Sequence, residues 1–186
     1  AEAGLKDDYK TGTFRLRVKV SAEKALGGSR YSLAWVIRDR EGNAAASGEC
    51  RDLTAGEETC RIEAASAEIQ DVRRWSSPDP YLYELEVRLA GEDGSIIEIV
   101  PCSFGFRRFE IRDRIMLLNG ERIIVNGVNR HEWNPRRGRS ITEEDMRRDI
   151  EIIKKNHINA VRTSHYPNQS LWYRLCDENG IYVMDE

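Results

Sequence analysis

No apolar run in this chain approaches the roughly 20 residues that a membrane-crossing helix needs, which excludes a helical span. The first ten residues, AEAGLKDDYK, have neither a basic start nor an apolar core, so no signal peptide is expected; its absence says little about compartment, which stays unknown with the cytoplasm favoured. There is no excess of charge of either sign. With 29 Lys and Arg against 32 Asp and Glu the net charge is −3, which gives no electrostatic reason to expect nucleic acid or a membrane surface as partner. The one short basic cluster, Arg136, Arg137 and Arg139, reads as a solvated loop. The four cysteines (Cys50, Cys60, Cys102, Cys176) form no CxxC pair, which argues against a zinc site. A Cys50–Cys60 bridge is open in an oxidising compartment, but reduced thiols are the default.

The catalytic motifs that are missing narrow the chemistry further. There is no HExxH, and with only three histidines no metal site is expected; His131 reads as a structural histidine and His157 as a surface one beside the lysines of a helix end. There is no GxSxG elbow, and Ser164 and His165 are adjacent. Neighbouring residues of a strand point to opposite faces, so these two cannot act as nucleophile and base without a sharp bend.

What is present is an ordinary globular composition, 40% hydrophobic and 33% charged. From Thr11 the pattern has period two: Phe14, Leu16, Val18 and Val20 alternate with Arg15, Arg17 and Lys19, as in a half-buried strand. A glycine-containing loop is predicted over 25–30, a strand centred on Trp35 over 31–37, a turn over 39–43, and short strands near 44–50 and 59–64. WSSPDP (75–80) is a rigid loop. Tyr81, Tyr83, Leu85, Val87 and Leu89 then alternate with Glu84, Glu86 and Arg88 in the clearest strand of the chain, and residues 96–102 return as its hairpin partner. About seven strands at regular spacing predict an immunoglobulin-like antiparallel β-sandwich over residues 1–108. Trp35, Trp75, Tyr81 and Tyr83 could line a sugar platform, but their spacing favours core packing.

After Phe104 the pattern changes. Asn119-Gly120 is a two-residue hairpin turn between arms predicted over 109–118 and 121–125, and Ile123-Ile124-Val125 suits a buried strand. Thr142 is a good N-cap, followed by Glu143, Glu144 and Asp145, which complement a helix dipole. Met146, Ile150 and Ile153 give that helix one buried stripe. Residues 159–163 read as a strand, and 170–178 as a helix on which Leu171, Trp172 and Leu175 share a face. Gly180 sits at the C′ position, and an apolar strand follows over 181–184. Strands joined by helices run parallel, and ligands in such folds bind at the C-terminal strand ends, where Arg162, Ser164, His165, Tyr166 and Asn168 gather. The alternation of strands and helices is that of a parallel (β/α)8 barrel or a doubly wound sheet. Three strands cannot close a barrel, so residues 109–186, two helices included, are expected to be a truncated portion of a longer chain, the N-terminal part of such a barrel by the resemblance given below. An open sheet of this kind leaves an edge exposed, so pairing between chains (a homo-oligomer) or disorder at the C-terminal end is expected. Glu132, Asp185 and Glu186 lie at the productive strand ends, but nothing in their spacing brings two of them to the separation of about 5 Å that a retaining glycosidase uses.

Three longer stretches, GVNRHEWNP, DIEIIKKNHINAVRTSHYPN and LWYRLCDENGIYVMDE, closely resemble the central signature of glycoside hydrolase family 2. WSSPDPYLYELEV and FGFRRFEI…LLNGERI resemble the end of that family's immunoglobulin-like domain and its entry into the barrel. SHYPN followed by LWYRLCDENGIYVMDE is more similar to β-galactosidases than to β-glucuronidases or β-mannosidases. The resemblance implies a parent enzyme that cleaves terminal β-galactosides with retention, with both catalytic glutamates beyond residue 186. No catalytic residue is then present here, and the chain alone is expected to be inactive. Carried over are His165, as a sugar contact, and Arg162, as a support for the nucleophile. Arg162 and His165 differ in strand parity, so both can face the site only if the strand ends between them, which Pro167 favours. The parent's magnesium and sodium ions would have no assignable ligand in this chain. The rival reading is a non-catalytic sandwich module for interaction or carbohydrate binding.

Overall fold

The structure is a computed structural model that describes residues 1–20, 30–54 and 60–186, with backbone only for residues 52, 54 and 60–65. It divides into two compact units, Ala1–Arg73 with Leu82–Arg108, and Arg74–Tyr81 with Phe109–Glu186.

The first unit is all strand. One antiparallel sheet has the order β1 (Glu2–Leu5), β2 (Gly12–Val20), β5 (Cys60–Ile69), and the other β4 (Ala44–Thr54), β3 (Arg30–Arg38), β6 (Tyr83–Gly91), β7 (Ile96–Phe104). The period-two pattern decides what faces in: Phe14 and Leu16 of β2, Tyr31, Leu33, Trp35 and Ile37 of β3, and Tyr83, Leu85 and Val87 of β6 are buried. The Phe14 ring lies 5.5 Å from that of Trp35 and 5.6 Å from that of Phe104, which joins the two sheets into a sandwich. Opposite Trp35 stands Gly48, where a β-carbon would come within 2.8 Å of the indole. The predicted loop over 25–30 lies outside the described residues except at Arg30, which opens β3. Cys50 lies on β4 and Cys60 on β5, and the Cys60 side chain is outside the described set. Trp35, Trp75, Tyr81 and Tyr83 are all buried, so these four offer no sugar platform.

The second unit opens with a meander, β8 (Phe109–Arg112), β9 (Ile115–Leu118) and β10 (Glu121–Arg122). Asn119 and Gly120 have the positive φ of a two-residue hairpin turn, and so do Asp113 and Arg114, which break the predicted ten-residue arm into two strands. The run 123–125 is not the buried strand expected, since Ile124 is 74% exposed. The backbone there is held by asparagines instead: Asn159 Nδ2 donates to the Ile124 carbonyl at 2.8 Å, and the Asn126 amide donates to Asn159 Oδ1 at 2.8 Å. The first parallel strand follows that run and is not part of it, as β11 (Gly127–Arg130).

β11 pairs in parallel with β12 (Ala160–Thr163), and β12 with β13 (Tyr182–Met184). Between them run α1 (Glu143–Lys155) and α2 (Ser170–Asn179). Thr142 and Asp145 close a capping box at the start of α1. Met146, Ile150 and Ile153 of α1 join Trp172, Leu175 and Cys176 of α2, with Val161 and Ile181, in one apolar core; Leu171 is only partly buried. Burial pushes the Cys176 thiol up to about 12, so it is an inert core group. Gly180 ends α2 in the left-handed conformation. The 74–81 loop packs in this unit: the Trp75 indole N–H donates to the Asp177 carbonyl at 2.7 Å, which satisfies an open acceptor of the last turn of α2. Among the described residues, no helix is long and apolar enough to cross a membrane.

Candidate functional site

The three parallel strands end together, because their register pairs Arg130 with Thr163 and Arg162 with Met184. Their C-terminal ends therefore bring residues 130–132, 163–168 and 185–186 to one edge, the productive end of an α/β fold. Most of the polar groups there are already committed to structure. Arg130, buried, donates through Nε to Asp149 at 2.9 Å and through a terminal nitrogen to Asn168 at 2.7 Å, and its guanidinium lies 3.6 Å above the Trp172 ring. Glu132, also buried, accepts from the Gln169 amide at 3.0 Å, the residue that opens α2 without a side-chain cap of its own. The Tyr166 hydroxyl accepts from the Glu132 amide at 3.1 Å. Ser164 is fully buried, and its amide donates to the Arg130 carbonyl at 2.9 Å, so it is no nucleophile for His165. The Ser164–His165 peptide is cis.

Asp185 accepts from the Thr163 hydroxyl at 2.9 Å and the Tyr173 hydroxyl at 2.6 Å. Those two bonds, that from Tyr173 foremost, hold its carboxyl below the usual range. Burial, and then the bond to Asp185, push the Tyr173 phenol up.

What remains presented is a small cluster. Arg162 donates to Glu186 Oε2 at 2.7 Å, and His165 Nδ1 lies 3.1 Å from the same oxygen. The two residues that the sequence singled out are thus brought together through Glu186. Their parity conflict is resolved because β12 ends at Thr163, after which alternation no longer applies. His131, read from the sequence as structural, is exposed, and its ring stands edge-on to His165 with centroids 5.5 Å apart. No sequence pattern marked it, since its neighbour comes from the next strand end. Arg137 of the basic cluster pairs with Asp145 at 2.6 Å, and the Arg139 guanidinium lies 4.4 Å from the Tyr166 ring centroid.

The contact with His165, and next the charge of Arg162, hold the Glu186 carboxyl below its ordinary value. A general acid needs the opposite shift, so Glu186 is ill suited to protonate a leaving group. Glu132 is held inward on a backbone amide. An ionised Glu186 has the charge state of a nucleophile, but neither carboxylate is set up as the acid that must accompany one. Among the described residues, no three His, Cys, Asp or Glu side chains converge to hold a metal ion.

The family profile "Glycosyl hydrolases family 2" matches residues 1–107, and "Glycosyl hydrolases family 2, TIM barrel domain" matches residues 109–186. A protein named Beta-galactosidase from Clostridium acetobutylicum is 48% identical over 183 residues, which is 98% of this chain and 19% of that protein. A Beta-galactosidase large subunit from Lactobacillus helveticus is 44% identical over 97% of this chain and 27% of its own length. The crystal structure of a β-glucuronidase from Parabacteroides merdae superposes with a TM-score of 0.85 at 26% identity, covering 98% of this chain and 22% of that one. The chain thus spans about a fifth to a quarter of the length of the relatives it matches.

Proposed function

The chain belongs to glycosyl hydrolases family 2, and from that premise we propose that the protein carrying it hydrolyses terminal β-galactosides with retention of configuration. The observation that carries this reading is identity of 44–48% to proteins named β-galactosidase over nearly the whole chain. The fold supports it, since a β-sandwich followed by the opening strands of a (β/α)8 barrel is the family's order of domains.

In this reading His165 and Arg162 form part of the sugar-binding rim at the C-terminal strand ends, with His165 contacting a sugar hydroxyl. Retaining hydrolysis needs two carboxyl groups about 5 Å apart, one as acid and then base, the other as nucleophile. Glu132 and Glu186 are both engaged elsewhere, so the pair comes from outside these residues. The 186-residue chain alone is therefore expected to be inactive.

The test is side-by-side turnover of nitrophenyl β-galactoside, β-glucuronide and β-mannoside by the full-length protein and by the 186-residue chain. The expected result is galactoside turnover by the full-length protein alone, with the β-anomer as the first product by proton NMR. Preferred turnover of the glucuronide, or any hydrolysis by the 186-residue chain, would sink the proposal.

A further inference from the structure

Glu186 is the point at which the two presented residues of the rim meet. Its Oε2 accepts from Arg162 at 2.7 Å and faces His165 Nδ1 at 3.1 Å. A carboxylate is an acceptor only, so an imidazole nitrogen bonded to it must carry the proton. The ionised form is the one this surrounding favours, because Arg162 supplies a full positive charge to the same oxygen. The other ring nitrogen, Nε2, has no hydrogen-bond partner among the described residues, and the His165 side chain is 61% exposed.

We propose that Glu186 is a positioning residue that fixes His165 as its Nδ1–H tautomer, leaving Nε2 as a bare acceptor for a sugar hydroxyl. Free histidine in water favours the opposite tautomer, with the proton on Nε2, which would meet a substrate hydroxyl as a donor instead. The bond that one nitrogen makes thus decides what the other can do. Arg162 contributes at the same oxygen: by donating to Oε2 it sets the position from which the imidazole is gripped. The sequence hinted at none of this, because Glu186 lies beyond β13 while His165 lies beyond β12. Only the parallel register places them side by side. The identity of the ligand as a sugar rests on the galactosidase reading, whereas the tautomer itself does not.

The experiment is magic-angle-spinning NMR of the full-length protein labelled with [15N]histidine, above neutral pH where imidazoles are uncharged, with the H165Q difference spectrum isolating His165. The expected spectrum has a protonated Nδ1 and a bare Nε2. E186Q, whose side-chain oxygen can still accept, keeps that tautomer, and E186A reverts to Nε2–H. An Nε2–H tautomer in the unaltered protein, or no change in a folded E186A protein, overturns the proposal; should E186A fail to fold, the unaltered and E186Q spectra decide. In parallel, kcat/KM on the galactoside is expected to fall about ten- to a hundredfold in E186A and less in E186Q, the range typical of a group that orients another. A protein that shows the expected tautomers but does not turn over galactosides would refute the substrate reading and leave the role of Glu186 standing.

Discussion

Gly180 is constrained twice. Its φ of 69° lies in the left-handed region, and a β-carbon there would stand 2.2 Å from the Ser77 carbonyl oxygen, a backbone atom that cannot rotate away. Left-handed backbone costs a residue with a side chain roughly 1–2 kcal/mol, and overpacking about 1–3 more. Gly180→Ala is therefore expected to destabilise the second unit by about 2–5 kcal/mol in urea denaturation, on the same two grounds. A change under half a kcal/mol would show that the 74–81 loop yields freely. Asp8 offers a pH test in the first unit. It accepts from the Thr11 hydroxyl at 2.7 Å and from the Thr11 and Lys10 amides at 2.8 Å each. These bonds, the hydroxyl first, draw its pKa from 3.8 down to about 2. With the folded value depressed, the folded state binds fewer protons than the unfolded one, so this stabilisation is complete above pH 3.8 and is lost as pH falls through about 2. The melting temperature of the unaltered protein should exceed that of Asp8→Asn near neutrality, and the gap should close across that window; a gap independent of pH would contradict it. Gly180 was legible in the sequence because a helix stop is a local signal. The place of Arg130 was not, because its partners Asp149, Asn168 and Trp172 come from two helices and a loop that only the fold assembles.

At the scale of elements, β2, β3 and β6 and the two helices were legible because each carries its own period, whereas β1, only four residues long, was not read at all. Where two local signals competed, the stronger apolar one misled. Ile123-Ile124-Val125 looks more like a buried strand than GVNR does, yet GVNR is the strand, because register with β12 and the asparagine bonds from Asn126 and Asn159 decide the pairing. The turn at Asp113-Arg114 carries no glycine and so gave no signal. The cap of α1 was local and readable: the Thr142 hydroxyl accepts from the Asp145 amide, and the Asp145 carboxylate accepts from the Thr142 amide at 2.9 Å. Arg137 and Asn134 also bind that carboxylate, so the capping box ties the loop after β11 to the helix. Thr142→Ala should cost about 1 kcal/mol of stability by thermal or urea unfolding. Asp145→Ala should cost more, since it also frees Arg137 and Asn134; equal effects would mean that the loop contacts contribute nothing.

For the molecule as a whole, the change from period two to helical spacing near Phe104 made the order sandwich-then-barrel readable. What that change could not show is which apolar residues stay uncovered. On β7, an edge strand of the sandwich, Ile96, Ile97, Ile99 and Val100 are exposed. In the second unit Phe109, Ile111, Ile115, Met116, Ile124 and Val125 are exposed, as is Met184 on β13, the edge of the parallel sheet. A solvated surface seldom carries so many large apolar groups without a partner, and an open strand edge adds unpaired backbone groups to the apolar area offered to another chain. The few devices that blunt an edge are thin here: β7 has Glu98 and Pro101, and β13 has neither a charge nor a proline. The isolated 186-residue chain is therefore expected to self-associate as its concentration rises through the micromolar range, by sedimentation velocity. Added non-denaturing salt should strengthen the association, since apolar burial drives it and not charge. In the full-length protein the β13 amides should be protected from hydrogen exchange, as they would be if a further strand paired with that edge. A chain that sediments as a monomer at every concentration, together with equal exchange at β13 in both forms, would show that these edges need no cover and that the sheet is stable while open.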